Sequence, residues 1–386
     1  MEEKKRFNEL MNLIMGADWK PVAETGKGNN VLGALAHATE FTDFKAHFDR
    51  MASGLYGIYR HNVKELDKLV KTFRELADER NWQGAYAELC ALHVLNLDGY
   101  PAIETDVTLP ASESCAAQLG HKADTNMDGY VSVAGLCFDT KAFRDTVTPI
   151  LKSVTNTAII ELKKEGRWTE RKEPYVMYEH DLTDTESEYQ SRFRELVDEF
   201  KGKYSEKVRG ISSDVVRGLV YRIQRDSLCS TISSYSPYRR AKELVGSVLC
   251  RYADKFLLRK SFMLVLVNHP WFNQADTGTL IGNEVLYRSL VRRLFMQYRY
   301  MSAPMYTLNR KFTGRETIDE VTRKISAVMF IDVHSAKKEK SDYSWYFYKN
   351  PRADNKMRSS EFYFRELEQV KRDMCREWDD FEDDNY

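Results

Sequence analysis

The stretch that decides the fold is Gly129-Tyr130-Val131-Ser132-Val133-Ala134-Gly135-Leu136-Cys137-Phe138-Asp139-Thr140-Lys141. Two short runs of β-branched, apolar and aromatic residues flank Ala134-Gly135, and this pattern predicts a β-hairpin with a tight turn. Asp128 precedes the first predicted strand and Asp139 lies near the end of the second. Because antiparallel strands bring the start of one opposite the end of the other, the hairpin is expected to place these two carboxylates close together.

The second strand also predicts which way its polar side chains point. Side chains alternate across a strand, so Asp139 and Lys141 are expected on one face and Phe138 and Thr140 on the other. Two carboxylates and one ammonium group would then meet at one end of the sheet. Carboxylate oxygens are preferred ligands of Mg²⁺, so the hairpin predicts a metal site.

The linker before the hairpin contains a rival acid, Asp124, and a histidine, His121. Asp128 is favoured over Asp124 as the acid of the first strand because the β-rich run begins directly after it. His121 is interpreted as a loop residue and not as a ligand.

An alanine- and leucine-rich segment from Asn81 to Leu95 predicts a helix that ends before Asp98-Gly99. Glu88 lies in its middle, and its helical neighbours are Gly84, Ala85, Ala91 and Leu92. Glu88 therefore has no basic partner on its own helix, although it shares an apolar stripe that is expected to face a core. A carboxylate in that position is costly unless it is paired inside the protein, and a metal site completed by the hairpin would supply the partner.

The order of these elements resembles the PD-(D/E)xK nuclease superfamily. A helix with Glu88, a predicted strand from Pro101 to Leu109, and a hairpin with Asp128 and Asp139-Thr140-Lys141 follow one another as the acids and the lysine of that family do. The resemblance covers residues 80–143, with a continuation in 236–268.

Two positions depart from the usual family pattern. Met127 stands where a proline often precedes the first strand acid, and Asp139 stands where glutamate is more frequent. The motif tolerates both changes, at the cost of specificity.

The resemblance implies a restriction-endonuclease-like α/β fold, with a mixed sheet flanked by helices, and an Mg²⁺ or Mn²⁺ cofactor. It implies that Asp128, Asp139 and the backbone carbonyl of Thr140 bind the metal directly, while Glu88 contributes through a water or a second ion. Lys141 would position or deprotonate the attacking water, or stabilise developing charge. The implied activity is hydrolysis of DNA, in prokaryotic defence or restriction. A catalytically silent nucleic-acid-binding or assembly subunit, or a nuclease acting on RNA, is the alternative.

Two basic regions indicate a nucleic-acid partner, with DNA favoured over RNA. Residues 236–260 contain seven basic residues against two acidic ones, in a chain whose formal net charge is zero. A predicted helix over residues 282–300 interleaves arginines with tyrosines, which suits phosphate contact and base stacking. The candidate phosphate-contacting residues are Arg239, Arg240, Lys242, Arg288, Arg292 and Arg293. A solvated helix face with buried aromatic residues remains the alternative for these regions.

Composition narrows the class of protein. The chain has 386 residues, of which 42% are hydrophobic and 12% aromatic, as in a folded globular protein. Six scattered cysteines without a Cys-x-x-Cys pair disfavour a zinc site and a disulfide framework. The longest apolar run, Phe262 to Val267, is too short for a bilayer, and Met1 to Arg6 leads into an amphipathic helix. These features predict a cytoplasmic protein without a membrane segment; a protein partner or a homo-oligomer is left open.

The chain is divided into five regions. They are a helical region (1–80), the first part of the nuclease core (81–143), an insertion or subdomain (144–235), the second part of the core (236–335) and an extension with an acidic tail (336–386). In the second part, Ser236-Pro237 predicts the start of a helix that runs to about Leu258. It leads into a fully buried strand, Ser261 to Asn268. Further strands are predicted from Ile325 to Val333 and from Tyr343 to Tyr348.

Overall fold

The structure is a computed structural model, and it describes part of the chain. The described residues are 2–17, 19–20, 29–78, 80–96, 103–115, 117, 124–143, 147–168, 175–179, 186–224, 241, 250–269, 271, 283–297, 302–307, 315–334 and 342–357. Most of the helix predicted from Ser236 lies outside this part, as does the acidic tail over residues 377–384.

Five helices come first in the chain. They are α1 (Glu2–Met15), α2 (Asn30–Ala36), α3 (Thr42–Tyr59), α4 (Val63–Glu75) and α5 (Trp82–Leu95). Asn29 and Asn62 cap α2 and α4, because their side-chain oxygens accept hydrogen bonds from backbone N–H groups in the first turn. The sequence predicts a helix from Val63 to Arg80, but α4 ends at Glu75. The Asp78 side chain accepts a hydrogen bond from the backbone N–H of Arg80 at 2.7 Å and closes a turn there instead.

The remaining elements follow in chain order. They are β1 (Glu104–Leu109), β2 (Thr125–Val131), β3 (Leu136–Ala142), α6 (Val147–Lys164), β4 (Tyr175–Glu179), α7 (Glu186–Ser191), α8 (Phe193–Lys203), β5 (Gly210–Ser212), β6 (Val220–Gln224), β7 (Ser261–Asn268), α9 (Asn283–Arg292), α10 (Ile318–Thr322), β8 (Ala327–Val333) and β9 (Tyr343–Lys349).

Six strands form one mixed sheet in the order β1-β2-β3-β7-β8-β9. The pairs β1–β2, β2–β3 and β8–β9 are antiparallel, whereas β3–β7 and β7–β8 are parallel. The predicted α/β class, with a mixed sheet flanked by helices, is therefore confirmed. The strands β4, β6 and β5 form a second, three-stranded sheet, and with α6 and α8 they enclose a hydrophobic cluster of their own.

Both faces of the large sheet are covered. The first hydrophobic cluster joins α1, α3, α4 and α5 to one face, and the second joins α9, α10 and a short 3₁₀ helix (Cys250–Lys255) to the other. The strand β7 has every residue buried, as its apolar composition predicts. Among the described residues, no helix combines the length and the apolar character needed to cross a membrane.

Two predicted helices differ from what is observed. Within the helix predicted from Ser236 to about Leu258, the described residues 250–255 form a 3₁₀ helix, and Tyr252 within it has φ −99° and ψ 17°. The helix predicted over residues 282–300 is α9 followed by a π-helical turn, Arg293–Gln297. The periodicity of apolar residues does not separate these helix types in short segments.

The hairpin also differs in detail. The strand β2 begins at Thr125 and ends at Val131, so Asp128 lies inside the strand and not at its start. Ser132–Ala134 form a 3₁₀ turn, and Gly135 follows with φ 59°. This left-handed conformation is one that glycine adopts without steric cost, and it replaces the predicted two-residue turn.

Candidate active site

The strands β1 and β2 both turn over at one pair of opposed residues, Asp106 and Asp128. Side chains that face one hydrophobic core before this pair are followed by side chains that face the other core after it. The pairs on either side are Thr105 with Gly129 and Val107 with Met127. The core beneath the N-terminal helices contains Ile103 and Val131, and the opposite core contains Val107 and Met127.

Regular strands keep residues two apart on the same face, so both strands twist over at this pair. Asp106 has φ 48° and is the one non-glycine residue of the described chain with a positive φ. This backbone conformation turns β1 over at Asp106. Each strand therefore has an aspartate where it turns over, Asp106 on β1 and Asp128 on β2.

Asp128 takes the place of a backbone acceptor in the hairpin. The paired positions of β2 and β3 are Gly129 with Phe138, Tyr130 with Cys137 and Val131 with Leu136. Beyond them, Oδ2 of Asp128 accepts a hydrogen bond from the backbone N–H of Thr140 at 2.5 Å. The carboxylate of Asp128 is thereby fixed beside the Asp139-Thr140-Lys141 segment.

Gly129 permits this arrangement because no side chain fits there. A Cβ atom at this position would lie 2.5 Å from Cζ of Phe138 and 3.0 Å from Cγ2 of Ile103. The glycine next to Asp128 is therefore required by close packing across the hairpin.

Asp139 and Lys141 lie on one face of β3, as the alternation of the strand predicts. Nζ of Lys141 is 2.6 Å from Oδ2 of Asp139, whose side chain is 1% exposed. Nζ of Lys255 lies 3.8 Å from the other carboxylate oxygen. The ring of Tyr252 is close as well, with its centroid 5.7 Å from Nζ of Lys141.

Glu88 projects from α5 toward Asp128. Its Oε1 accepts a hydrogen bond from Oγ1 of Thr72 at 3.1 Å, and among the described residues no ion pair involves Glu88. Its own helix offers no basic partner, as expected from the sequence, and elsewhere in the described chain Lys141 is near enough to favour the ionised form of Glu88 without forming an ion pair with it.

Glu88 and Asp128 open into one cleft. The cleft measures about 450 Å³, counting the solvent-open space at its mouth, and is lined by Lys68, Leu69, Lys71, Thr72, Glu75, Glu88, Leu92, Thr105, Asp106 and Asp128. Glu65 fixes the position of Thr105 in the cleft lining, because Oε2 of Glu65 accepts hydrogen bonds from the backbone N–H and the hydroxyl of Thr105, both at 2.7 Å. Lys68 bridges the same groups by donating to Glu65 and to the carbonyl oxygen of Thr105.

The carboxylates of the site carry perturbed pKa values. Burial and the nearby Asp128 raise the pKa of Glu88 to about 8. Burial and the nearby Asp139 raise the pKa of Asp128 to about 7. Burial disfavours the charged form of Lys141, but Asp139 and Asp128 outweigh it and raise the pKa of that ammonium group. Ionising all three carboxyls would place more negative charge in the site than Lys141 neutralises, so the neutral forms of Glu88 and Asp128 are favoured, and a bound cation would favour the ionised forms instead.

The donor set fits Mg²⁺ held partly by water. Among the described residues, no three His, Cys, Asp or Glu side chains are grouped so as to hold a metal ion. Mg²⁺ is commonly bound through one or two carboxylates and several waters, and Asp128 and Asp139 offer such oxygens. Oδ2 of Asp139 is buried and has no hydrogen-bond partner in the described structure beyond the ion pair with Lys141.

The predicted phosphate-contacting residues are only partly described. Arg239, Arg240 and Lys242 lie outside the described residues. Arg292 and Arg293 are buried, with 5% and 8% exposure, and Arg288 is half-buried. This burial leaves little guanidinium surface on Arg292 and Arg293 for a phosphate, so nucleic-acid contact stays a prediction there.

The rival acid and the linker histidine are not part of the cluster. Asp124 is exposed just before β2, away from the hydrogen bond that fixes Asp128, and His121 lies outside the described residues. The predicted choice of Asp128 is the one that brings a carboxylate to Asp139.

Three residues near the site were not predicted from the sequence. In the sequence, Lys255 is one of seven basic residues in the tract 236–260, and nothing singles it out. Thr72 is an ordinary residue of a predicted helix. Asp106 was hidden because strand alternation gives no sign that β1 turns over at that position.

No protein-family model, no curated protein and no solved structure matches this chain.

Proposed function

We propose that the chain is an Mg²⁺-dependent endonuclease that hydrolyses phosphodiester bonds of DNA. The observation that carries this proposal is that Glu88, from α5, shares a cleft with Asp128, whose carboxylate is hydrogen-bonded to the segment that carries the Asp139–Lys141 ion pair. Three acids and a lysine in this arrangement are what the resemblance to the PD-(D/E)xK superfamily implies. A cytoplasmic role in prokaryotic defence or restriction is proposed from that resemblance alone.

The connectivity around the site supports a restriction-endonuclease-like core. The helix α5 is followed by three antiparallel strands, and β7 then joins β3 in parallel. A helix, three strands and a fourth strand added after a crossover form the order that the resemblance implies. The proposed core thus combines β1, β2, β3 and β7 with α5.

Each residue has a role in this proposal. Asp128, Asp139 and the carbonyl of Thr140 would hold Mg²⁺, and Glu88 would contribute to its binding. When bound, Mg²⁺ acts as a Lewis acid at the phosphate. Lys141 stabilises negative charge that develops during hydrolysis, because its raised pKa keeps the ammonium group protonated and unfit as a base.

One observation favours a second candidate, a catalytically silent nucleic-acid-binding or assembly subunit. Lys141 already neutralises Asp139 through a 2.6 Å ion pair, and the described residues contain no group of three acidic, histidine or cysteine ligands ready for a metal. A degenerate site would retain such a pair for stability.

A cleavage assay distinguishes the candidates. The protein is incubated with plasmid DNA, single-stranded DNA and RNA, in Mg²⁺ and in EDTA, beside Asp139→Asn. The proposal expects DNA cleavage by the wild type in Mg²⁺ only, and none by the variant. Cleavage of RNA alone would make the protein a ribonuclease. No cleavage of any substrate would favour the silent subunit.

A further inference from the structure

We propose that Lys255 is a second phosphate-binding residue of this site, beside Lys141. This inference rests on the proposed function, because it assigns a substrate contact within the same site. The sequence placed Lys255 in a basic tract without a role, and the structure brings it to Asp139.

The two lysines flank one carboxylate. Nζ of Lys141 is 2.6 Å from Oδ2 of Asp139, and Nζ of Lys255 is 3.8 Å from Oδ1. Lys255 comes from the 3₁₀ helix before β7 and Lys141 from β3. Two ammonium groups from separate elements therefore share one acid.

Solvent reaches the lysines but not the acid. The side chain of Asp139 is 1% exposed, whereas those of Lys141 and Lys255 are 27% and 25% exposed. An anion approaching from solvent would meet the two ammonium groups before it met the carboxylate. Tyr252, beside Lys141, adds an aromatic ring to the same surface, and nucleic-acid bases stack on such rings.

Among the described residues, Lys255 uses only part of its hydrogen-bonding capacity. Its ammonium group carries three N–H donors, and one of them bonds the carbonyl oxygen of Asn126 at 2.7 Å. The 3.8 Å separation from Asp139 is longer than a hydrogen bond. The ammonium group is thus held in place by Asn126 and still has donors for phosphate oxygens.

Metal binding at Asp139 would make both lysines available to contact the substrate. A divalent ion on Asp139 takes over the carboxylate that now neutralises the lysines, and phosphate oxygens are the natural replacement partners. Lys255 would hold a phosphate of the strand, while Lys141 serves the phosphate that reacts.

The test measures binding apart from cleavage. Fluorescence anisotropy follows a short, labelled single-stranded DNA oligonucleotide, with Ca²⁺ in place of Mg²⁺. Lys255→Ala is expected to weaken binding by roughly tenfold, and Lys255→Arg to retain most of it, because a cation still faces the phosphate. Lys324→Ala is the matched control: Lys324 is also 25% exposed and pairs with Asp354 at 2.6 Å, and binding should not change.

A Mn²⁺ titration separates this role from a merely structural one. Lys255→Ala is expected to raise the Mn²⁺ affinity by several-fold, because one cation that competes for Asp139 is gone. A purely structural lysine would lower the melting temperature and leave the Mn²⁺ affinity unchanged or weaker, and that result would overturn the inference.

The outcomes for the inference and for the proposed function differ. If the wild type cuts DNA and Lys255→Ala binds the oligonucleotide as tightly as the wild type, the inference is wrong and the nuclease stands. If the wild type binds through Lys255 but cuts nothing, the inference stands and the nuclease does not. If the wild type neither binds nor cuts, both are wrong.

Discussion

The carboxylate of Asp128 accepts a 2.5 Å hydrogen bond from the backbone N–H of Thr140, at the point where the regular pairing of β2 and β3 ends. The Asp128 side chain thereby replaces a backbone carbonyl as the hydrogen-bond acceptor. It also links Asp128 to the segment that contains Asp139. Both acids lie on paired strands of the large sheet, where the proposed site would be preorganised.

The first prediction concerns metal binding. Asp128→Ala and Asp139→Ala are each expected to abolish Mn²⁺ binding measured by isothermal titration calorimetry, because each removes a carboxylate ligand. Asp124→Ala is the control, since Asp124 is exposed outside the cluster and its loss should leave binding unchanged. Wild-type affinity in both site variants would remove the metal-site hypothesis.

The second prediction concerns stability against pH without metal. The pKa values of Glu88 and Asp128 are raised to about 8 and about 7, so the folded protein favours their neutral forms. The stability that depends on these protons is complete below the ordinary carboxyl pKa values of 4.5 and 3.8, declines as the pH rises above them, and is lost once the pH has passed about 7 to 8. In EDTA, the melting temperature should therefore fall over this range.

Glu88→Gln is the matched variant for that measurement. It keeps the shape of the side chain and removes one charge, so the melting temperature should equal or exceed that of the wild type above about pH 8, with a weaker pH dependence. A loss of several degrees at high pH would show instead that Glu88 is half of a structural ion pair.

Much of the fold could be predicted because local patterns agree with it. The short, β-branched apolar run from Phe262 to Val267 is typical of a covered strand, and β7 is buried along its whole length. The alternation of β3 places Asp139 and Lys141 on one face, and their ion pair follows from it. These features depend on residues close in sequence, where periodicity carries the information.

The rest depends on contacts between distant segments. The strands β1 and β2 turn over at Asp106 and Asp128 because each of them packs into two hydrophobic cores, one on each face of the sheet. Likewise, Lys255 reaches Asp139 only because β7 lies beside β3. No local pattern in a single sequence indicates such pairings, so the acids can be predicted from the sequence and the second lysine cannot.

The third prediction tests the close packing of the hairpin. Gly129→Ala would place a Cβ atom 2.5 Å from Cζ of Phe138, which the rigid ring and strand cannot accommodate without a shift. We expect a loss of about 1–3 kcal/mol in the free energy of unfolding, measured by denaturation in urea. Gly210→Ala is the control in another strand, because its Cβ atom would lie 3.9 Å from the nearest atom, the carbonyl oxygen of Tyr221. Equal stability of the two variants would contradict this packing.

The central claim, that this cluster hydrolyses phosphodiesters, is tested most directly at Lys141. Guanidinium is bulkier than ammonium and forked, so arginine can keep an ion pair with Asp139 but cannot reproduce the position of the lysine. The measurement is single-turnover cleavage of DNA in Mg²⁺ by the wild type, Lys141→Ala and Lys141→Arg, with Mn²⁺ and DNA binding recorded for each. The account predicts that both variants bind Mn²⁺ and DNA but cleave at least about 10²-fold more slowly than the wild type. Cleavage by Lys141→Ala at the wild-type rate would contradict it and place the active site elsewhere.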